Sequence, residues 1–240
     1  MKYVIIHYNT PELTTALLGS LLKNGISSNI IIFENSNKRL LNAGELFNYE
    51  LLDNSKGQLI DFNLKIKLLN NLNKISLERI KLEQNASNFG TIKHSMTVQW
   101  LIENLNEDFI LLDSDILIKK DFRKIIDNTK LFVGMATQYR VLPFLLYLNA
   151  PLLNLNNIKF FDGINIFPYK GTADMDTGGS FYKECKKSNK EFTELDLSDF
   201  FVHYGSGSWR KNEHPKKWFQ GNYKNNSPME FLSKNKTLFM

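Results

Sequence analysis

One cysteine in 240 residues, Cys185, excludes any intramolecular disulfide and leaves packing and hydrogen bonding to hold the fold. A lone thiol of this kind is expected to stay reduced. No apolar run approaches the roughly 18 residues that a membrane-spanning helix needs. The chain also lacks the basic, apolar and small-residue order of a secretion signal, and opens instead on the strand-like Tyr3-Val4-Ile5-Ile6. These absences give an expected cytoplasmic location. Residues 1–209 carry no net charge either. From Arg210 to Met240 seven Lys or Arg face two Glu, a surplus of five that equals the formal net charge of the whole chain. A basic tail beside a balanced domain points to anionic company, such as a diphosphate, a phospholipid surface or nucleic acid, or else simply to solubility. What is present is core material. Hydrophobic residues make up 42% and aromatics 12%, so global disorder is excluded and one domain with a C-terminal extension is expected.

The first half alternates strand and helix. Residues 3–8 form an apolar run, and Thr10-Pro11-Glu12 then supply an expected N-cap, a proline at the first helical position and an early acid. Leu13, Ala16, Leu17 and Leu21 give the helix one apolar face until Asn24-Gly25 stops it. Asn29 to Phe33 reads as the next strand, ending in Glu34-Asn35-Ser36-Asn37. Residues 38–74, rich in Asn, Lys and Leu, read as loops and short helices. Ile80-Lys81-Leu82 then leads into a loop composition from Asn85 to Gly90. Val98, Leu101, Ile102 and Leu105 recur at helical spacing and predict a helix over 92–105. Phe109 to Leu112 is a continuous apolar strand, as in a sheet covered on both faces. Such alternation implies an α/β fold with a mainly parallel sheet. After residue 130 the rhythm weakens, with runs at 131–136, 158–167 and 179–182, the last reading as a strand at Ser180-Phe181-Tyr182.

Sheets of this kind bind ligands beyond the carboxyl ends of their strands. The three strands end at Tyr8-Asn9, Glu34-Asn35 and Asp113-Ser114-Asp115, all polar. The aspartate pair is the sharpest feature. In an extended segment, residues two apart face the same way. Two carboxylates there repel each other and resist burial unless a cation joins them. Hard oxygen donors with open positions suit Mg²⁺ or Mn²⁺ bridging phosphates rather than a closed zinc site. The plainer alternative is that Asp113 and Asp115 end a strand and cap a turn.

These pieces resemble the GT-A glycosyltransferases, and residues 3–122 most resemble family 2 of that group. Ile5 to Leu13 look like that family's opening strand, turn and helix, where a small polar stretch meets the nucleotide. Ile31 to Ser36 resemble its second strand, whose acidic or amide end contacts base or ribose. Asn85, Asn88, Phe89 and Gly90 match a loop before its third helix, and Leu111 to Asp115 match its D-x-D strand. Late in the chain, His203 with Gly205-Ser206-Gly207-Ser208-Trp209 resembles a histidine that completes the metal shell in some GT-A enzymes. The Glu-Asp pair that precedes the acceptor helix in family 2 has no counterpart here.

The resemblance implies a Rossmann-like GT-A domain over 1–209, divided into a nucleotide-sugar half (1–122) and an acceptor half (123–209), with 210–240 as a basic extension. It implies a Mn²⁺ or Mg²⁺ ion held by Asp113, Asp115 and His203. A nucleotide-sugar, with UDP-sugar favoured, would meet Tyr8, Asn9, Glu34, Asn35, Asn88, Gly90, Asp113 and Ser114. The acceptor would be a glycan or a lipid-linked acceptor molecule, as in bacterial surface polysaccharide or lipooligosaccharide synthesis. An inverting reaction needs a base near the acceptor hydroxyl. Among Asp162, Asp174, Asp176, Asp196 and Asp199, the segment Gly171 to Gly179 is the best host, and Asp176, with Asp174 beside it, is the candidate. A polar turn there is the alternative. Val141 to Leu155 is expected to pack in the core, with peripheral contact at the inner face of a membrane as the other reading.

Three rivals share features. A haloacid dehalogenase-type phosphatase has an aspartate pair after a strand, but near its chain start, and Leu117 stands where Thr or Val is usual. A sugar-nucleotidyltransferase opens with a Gly-rich basic phosphate loop that Tyr8 to Pro11 lacks. A nucleic-acid-binding module would use the tail with Trp209, Trp218, Phe219 and Tyr223. No nucleic acid is expected as partner, and a salt series in filter binding separates that case.

Overall fold

Tyr3 to Ile6 and Ile30 to Phe33 are buried at every position, which requires helices on both sides of the strands they form. The computed structural model describes residues 1–36, 47–65, 89–161, 177–204 and 227–240, with side chains of the helix at 89–105 described from residue 93 onward. Strand β1 is Lys2–His7, helix α1 Pro11–Lys23, β2 Ile30–Glu34 and β3 Tyr49–Asp53. Helix α2 is Phe89–Leu105, followed by β4 at Phe109–Asp113 and β5 at Ile116–Ile118. Then come β6 Phe132–Ala136, β7 Val141–Leu148, helix α3 Ala150–Leu155 and helix α4 Gly179–Lys187. Strands β8 Thr193–Glu194 and β9 Phe201–His203 precede the terminal helix α5, Pro228–Lys234.

Seven strands form one sheet in the order β3-β2-β1-β4-β7-β6-β8. Strands β1 to β4 are mutually parallel, β7 runs antiparallel between β4 and β6, and β8 is parallel to β6. The architecture is therefore a mainly parallel sheet flanked by helices, in agreement with the Rossmann-like GT-A expectation. Strands β5 and β9 form a separate antiparallel pair, with Ile116 opposite His203.

Side chains alternate across the sheet and fill two cores. Val4, Ile6, Ile31, Phe33, Leu111 and Leu146 point toward α2, α3 and α4, meeting Val98, Leu101, Ile102, Leu153 and Phe181. Ile5, Ile32, Ile110, Leu112 and Tyr147 point the other way, meeting Leu17, Leu18 and Leu21 of α1 with Ile116, Ile118 and Phe201. Each fully buried Leu or Ile contributes about 1.5–3 kcal/mol of transfer free energy, so the two cores fix the strand register. The last residues return to α1: Lys23 Nζ donates to the Thr237 carbonyl at 2.6 Å, and the Phe231 and Tyr204 rings lie 5.2 Å apart.

Four local expectations need correction. Thr10 stands at the N-cap of α1, but its side chain does not cap the helix, because its hydroxyl is shared with Ser114. Helix α2 begins at Phe89, three residues earlier than its apolar spacing indicated. Ser180-Phe181-Tyr182 lies in a helix, not a strand. Buried Cys185 lies four residues beyond Phe181, and that face emerges only when the run is read past Tyr182. Strand β3 falls in a stretch read as loops and short helices, being short and only half-buried. Val141 to Leu155 divides into an interior strand and a short helix, so the sheet rather than a bilayer covers Leu145 to Leu148.

Candidate metal and nucleotide site

Parallel strands β1, β2 and β4 end side by side, so His7, Glu34 and Asp113 lie along one edge of the sheet. Beyond Asp113 the chain turns through Ser114 and Asp115 into β5. The two aspartates therefore meet across a turn, and not on one side of an extended strand as their spacing suggested. Pairing of β5 with β9 brings in His203 from 88 residues away, and the Tyr204 amide donates to the Asp115 carbonyl at 2.8 Å.

Among the described residues, Asp113, Asp115 and His203 form a group with one donor atom each, all within 4.8 Å of one another. His203 Nε2 lies 3.2 Å from Asp115 Oδ1, and its ring is tilted against Phe144 with centroids 4.1 Å apart. The ring is thus held on two sides. Burial alone would lower the His203 pKa, but the Asp115 charge and hydrogen bond, with Asp113 nearby, raise it above its usual value. Burial, with Asp115 adding to it, pushes Asp113 up to about 8, and His203 offsets part of that rise. A carboxylate this reluctant to ionise is what an anion-rich, desolvated pocket imposes until positive charge arrives. Two hard carboxylate oxygens and an imidazole, converging with Asp115 buried and the other two half-buried, are a donor set that would hold Mn²⁺ or Mg²⁺ and leave positions for substrate oxygens.

The remaining sequence candidates divide. Thr10 and Ser114 share a hydroxyl–hydroxyl hydrogen bond of 2.9 Å, which ties the start of α1 to the aspartate turn. Asn9 takes a positive φ of 55° and its amide donates to Ser36 Oγ at 3.0 Å. Tyr8 is half-buried, with Lys93 Nζ 5.7 Å from its ring centroid. Asn35 is buried, donating to Thr97 Oγ1 at 2.8 Å and accepting from Asn54 Nδ2. Glu34 is fully buried, accepts from the Ser36 amide and lies 3.7 Å from His7 Nε2. The structure thus turns Glu34 and Asn35 inward, where they brace the strand ends. Gly90 is the second residue of α2. Asn88, Asp162, Asp174, Asp176 and the residues from Gly205 to Trp209 lie outside the described residues, as does the basic segment up to residue 226.

Two neighbours went unnoticed in the sequence. His94 Nδ1 approaches Asp113 Oδ1 at 3.6 Å, and Lys93 sits between the Tyr8 and Phe62 rings. Both lie near the start of α2, where the apolar spacing that defined the helix gave no sign of a second, polar face.

Two solved structures similar to the chain are glycosyltransferases. One is an apo structure of the bifunctional glycosyltransferase WbbM, at 11% identity and a TM-score of 0.44, aligned over 82% of this chain and 39% of that one. The other is the galactosyltransferase LgtC in complex with donor and acceptor sugar analogues, at 11% identity and a TM-score of 0.34, over 63% of this chain and 58% of that one. The chain therefore spans less than two thirds of either relative. No family model matches, and no curated protein matches. Likenesses this distant assign no activity; the geometry of the strand ends has to carry it.

Proposed function

We propose that the chain transfers a sugar, of hexose type, from a nucleoside-diphosphate-sugar to a hydroxyl of a glycan or lipid-linked acceptor. The observation that carries this reading is the convergence of Asp113, Asp115 and His203 at the carboxyl edge of parallel strands. That edge is where α/β sheets receive nucleotides. The three side chains would hold Mn²⁺ or Mg²⁺, which when bound supplies Lewis-acid stabilisation of charge on a departing diphosphate. The start of α1, beside Ser114, adds the partial positive charge of a helix N-terminus near the same anion. Tyr8 offers a half-buried ring for the nucleobase, and Lys93 adds a cation at its side. Asn9 and Ser114 supply polar groups toward the ribose and phosphates. The inward-facing Glu34 and Asn35 are assigned to shaping that pocket.

In the transfer, the bond between the sugar's anomeric carbon and the diphosphate oxygen breaks, and the diphosphate leaves with the electron pair. The acceptor oxygen forms the new bond and gives up its proton. For an inverting enzyme Asp176, with Asp174 beside it, is proposed to take that proton. A surface-polysaccharide or lipooligosaccharide acceptor fits the basic C-terminal stretch, which could meet an anionic membrane surface. Among the described residues no helix is long and apolar enough to cross a membrane.

A thermal-shift panel of UDP-, GDP-, CMP- and dTDP-sugars, each with and without Mn²⁺, tests the reading, since a donor that binds only the folded chain raises its melting temperature. One donor, a UDP-sugar by preference, is expected to stabilise only with Mn²⁺. Asp115→Asn should abolish that stabilisation and donor turnover while leaving the metal-free melt intact. Turnover that persists in chelator with both aspartates replaced would overturn the proposal.

A further inference from the structure

We infer that His94 is a positioning residue for Asp113, holding its carboxylate in the orientation the cation needs; the inference rests on the metal reading above. His94 stands on α2, and Thr97 of the same helix bonds to Asn35 at the end of β2, fixing α2 over the strand ends. Its ring is mostly buried, with a side-chain exposure of 17%. Nδ1 lies 3.6 Å from Asp113 Oδ1, just beyond hydrogen-bond reach. Nε2 is buried without a hydrogen-bond partner among the described residues.

An imidazole buried with both nitrogens unbonded would cost the desolvation of each. With the proton on Nδ1, a small rotation of either side chain gives that N–H to Asp113 and relieves half of the cost. The same bond leaves the second carboxylate oxygen to turn toward Asp115 and His203. Carboxylates that ligate metals are commonly held by such a neighbour, and losing it weakens metal affinity by about 10–100-fold. A purely space-filling histidine behaves differently. Leucine or methionine would fill its volume and remove two unbonded polar atoms, with no effect on the ion.

The experiment is a Mn²⁺ titration followed by the electron paramagnetic resonance signal of the free ion. Wild type, Asp115→Asn, His94→Leu, His94→Met and His94→Asn are compared, with a urea melt of each in chelator. Asparagine can place an amide N–H close to where Nδ1 stands. Expected are lost binding in Asp115→Asn, Mn²⁺ affinity weakened about 10–100-fold in His94→Leu and His94→Met, and most of it regained in His94→Asn. The metal-free urea midpoints of the apolar variants should not track these losses. His94→Met gives the same comparison if His94→Leu does not fold. Wild-type affinity in either folded apolar variant, or no recovery in His94→Asn, overturns the inference while the metal reading stands. Equal Mn²⁺ binding by wild type and Asp115→Asn overturns both.

Discussion

Asp113, half-buried, and His7, fully buried, stand at strand ends and titrate away from their usual ranges in ways that give stability opposite pH slopes. Asp113 has its folded-state pKa raised from 3.8 to about 8, chiefly by desolvation, so the folded chain holds a proton that the unfolded chain has lost. In chelator, its contribution is full below pH 4 and is lost as pH rises through 8. His7 is lowered from 6.5 to about 4, again by desolvation, so its contribution is full above pH 6.5 and is lost as pH falls through 4. His94 shifts over the same acid window. Urea midpoints measured without metal from pH 4 to 9 should therefore fall on both sides of a maximum. Asp113→Asn should flatten the alkaline limb, and His7→Gln should reduce the acid limb without removing it. The slopes carry the test, whatever offset each substitution adds. An unchanged alkaline slope in Asp113→Asn would mean that its carboxyl is ionised in the folded chain.

Elements are fixed by a few backbone positions, and two glycines separate strain from crowding. Gly25 follows α1 with φ +76°, and a Cβ there would meet nothing within 4 Å. Gly178 precedes α4 with φ +84°, and a Cβ there would lie 2.4 Å from the Val141 carbonyl oxygen. Gly25→Ala should cost about 1 kcal/mol for the left-handed conformation alone. Gly178→Ala adds a backbone clash at the start of β7 and should cost on the order of 3 kcal/mol. At roughly 2–4 °C per kcal/mol for a chain of this size, the Gly178 variant should melt several degrees below the Gly25 variant. Equal melting temperatures would show that β7 yields freely at Val141. The contrast also marks what was legible in the sequence. The stop at Asn24-Gly25 was readable because a helix of apolar period ends there. Gly178 gave no such signal, since what makes it necessary is a strand 37 residues earlier. The same division holds at the site. Asp113 and Asp115 stood out by chemistry and spacing, and β1, α1, β2 and β4 by their periodicity. His94 and Lys93 lay hidden in a helix recognised only by its apolar face. Glu34 was legible as an acid at a strand end, but its burial beside His7 and Ser36 is a tertiary event that no local pattern shows.

At the scale of the molecule, the proposed cation site would exist only when the chain is folded. Asp113 and Asp115 come from the end of β4, His94 from a helix on one face of the sheet, and His203 from a strand joined to β5 on the other side. The unfolded chain separates His203 from Asp115 by 88 positions and offers isolated carboxylates with little hold on Mn²⁺. Binding to the native state alone must then appear as stability. At a free Mn²⁺ concentration of 100 times Kd, the gain is about 2.7 kcal/mol. For a chain of this size that corresponds to a rise in melting temperature of roughly 5–10 °C. The urea midpoint should move up by the same free energy with its slope unchanged, because the ion alters neither the surface exposed on unfolding nor the cooperativity. The gain should also grow from pH 6 to pH 8, as the proton on Asp113 competes less with the ion. Asp115→Asn should show none of this at the same concentration. If Mn²⁺ stabilised the variant and the wild type equally, the ion would be binding elsewhere on the surface, and the convergence of strand ends would be a polar corner without a cation.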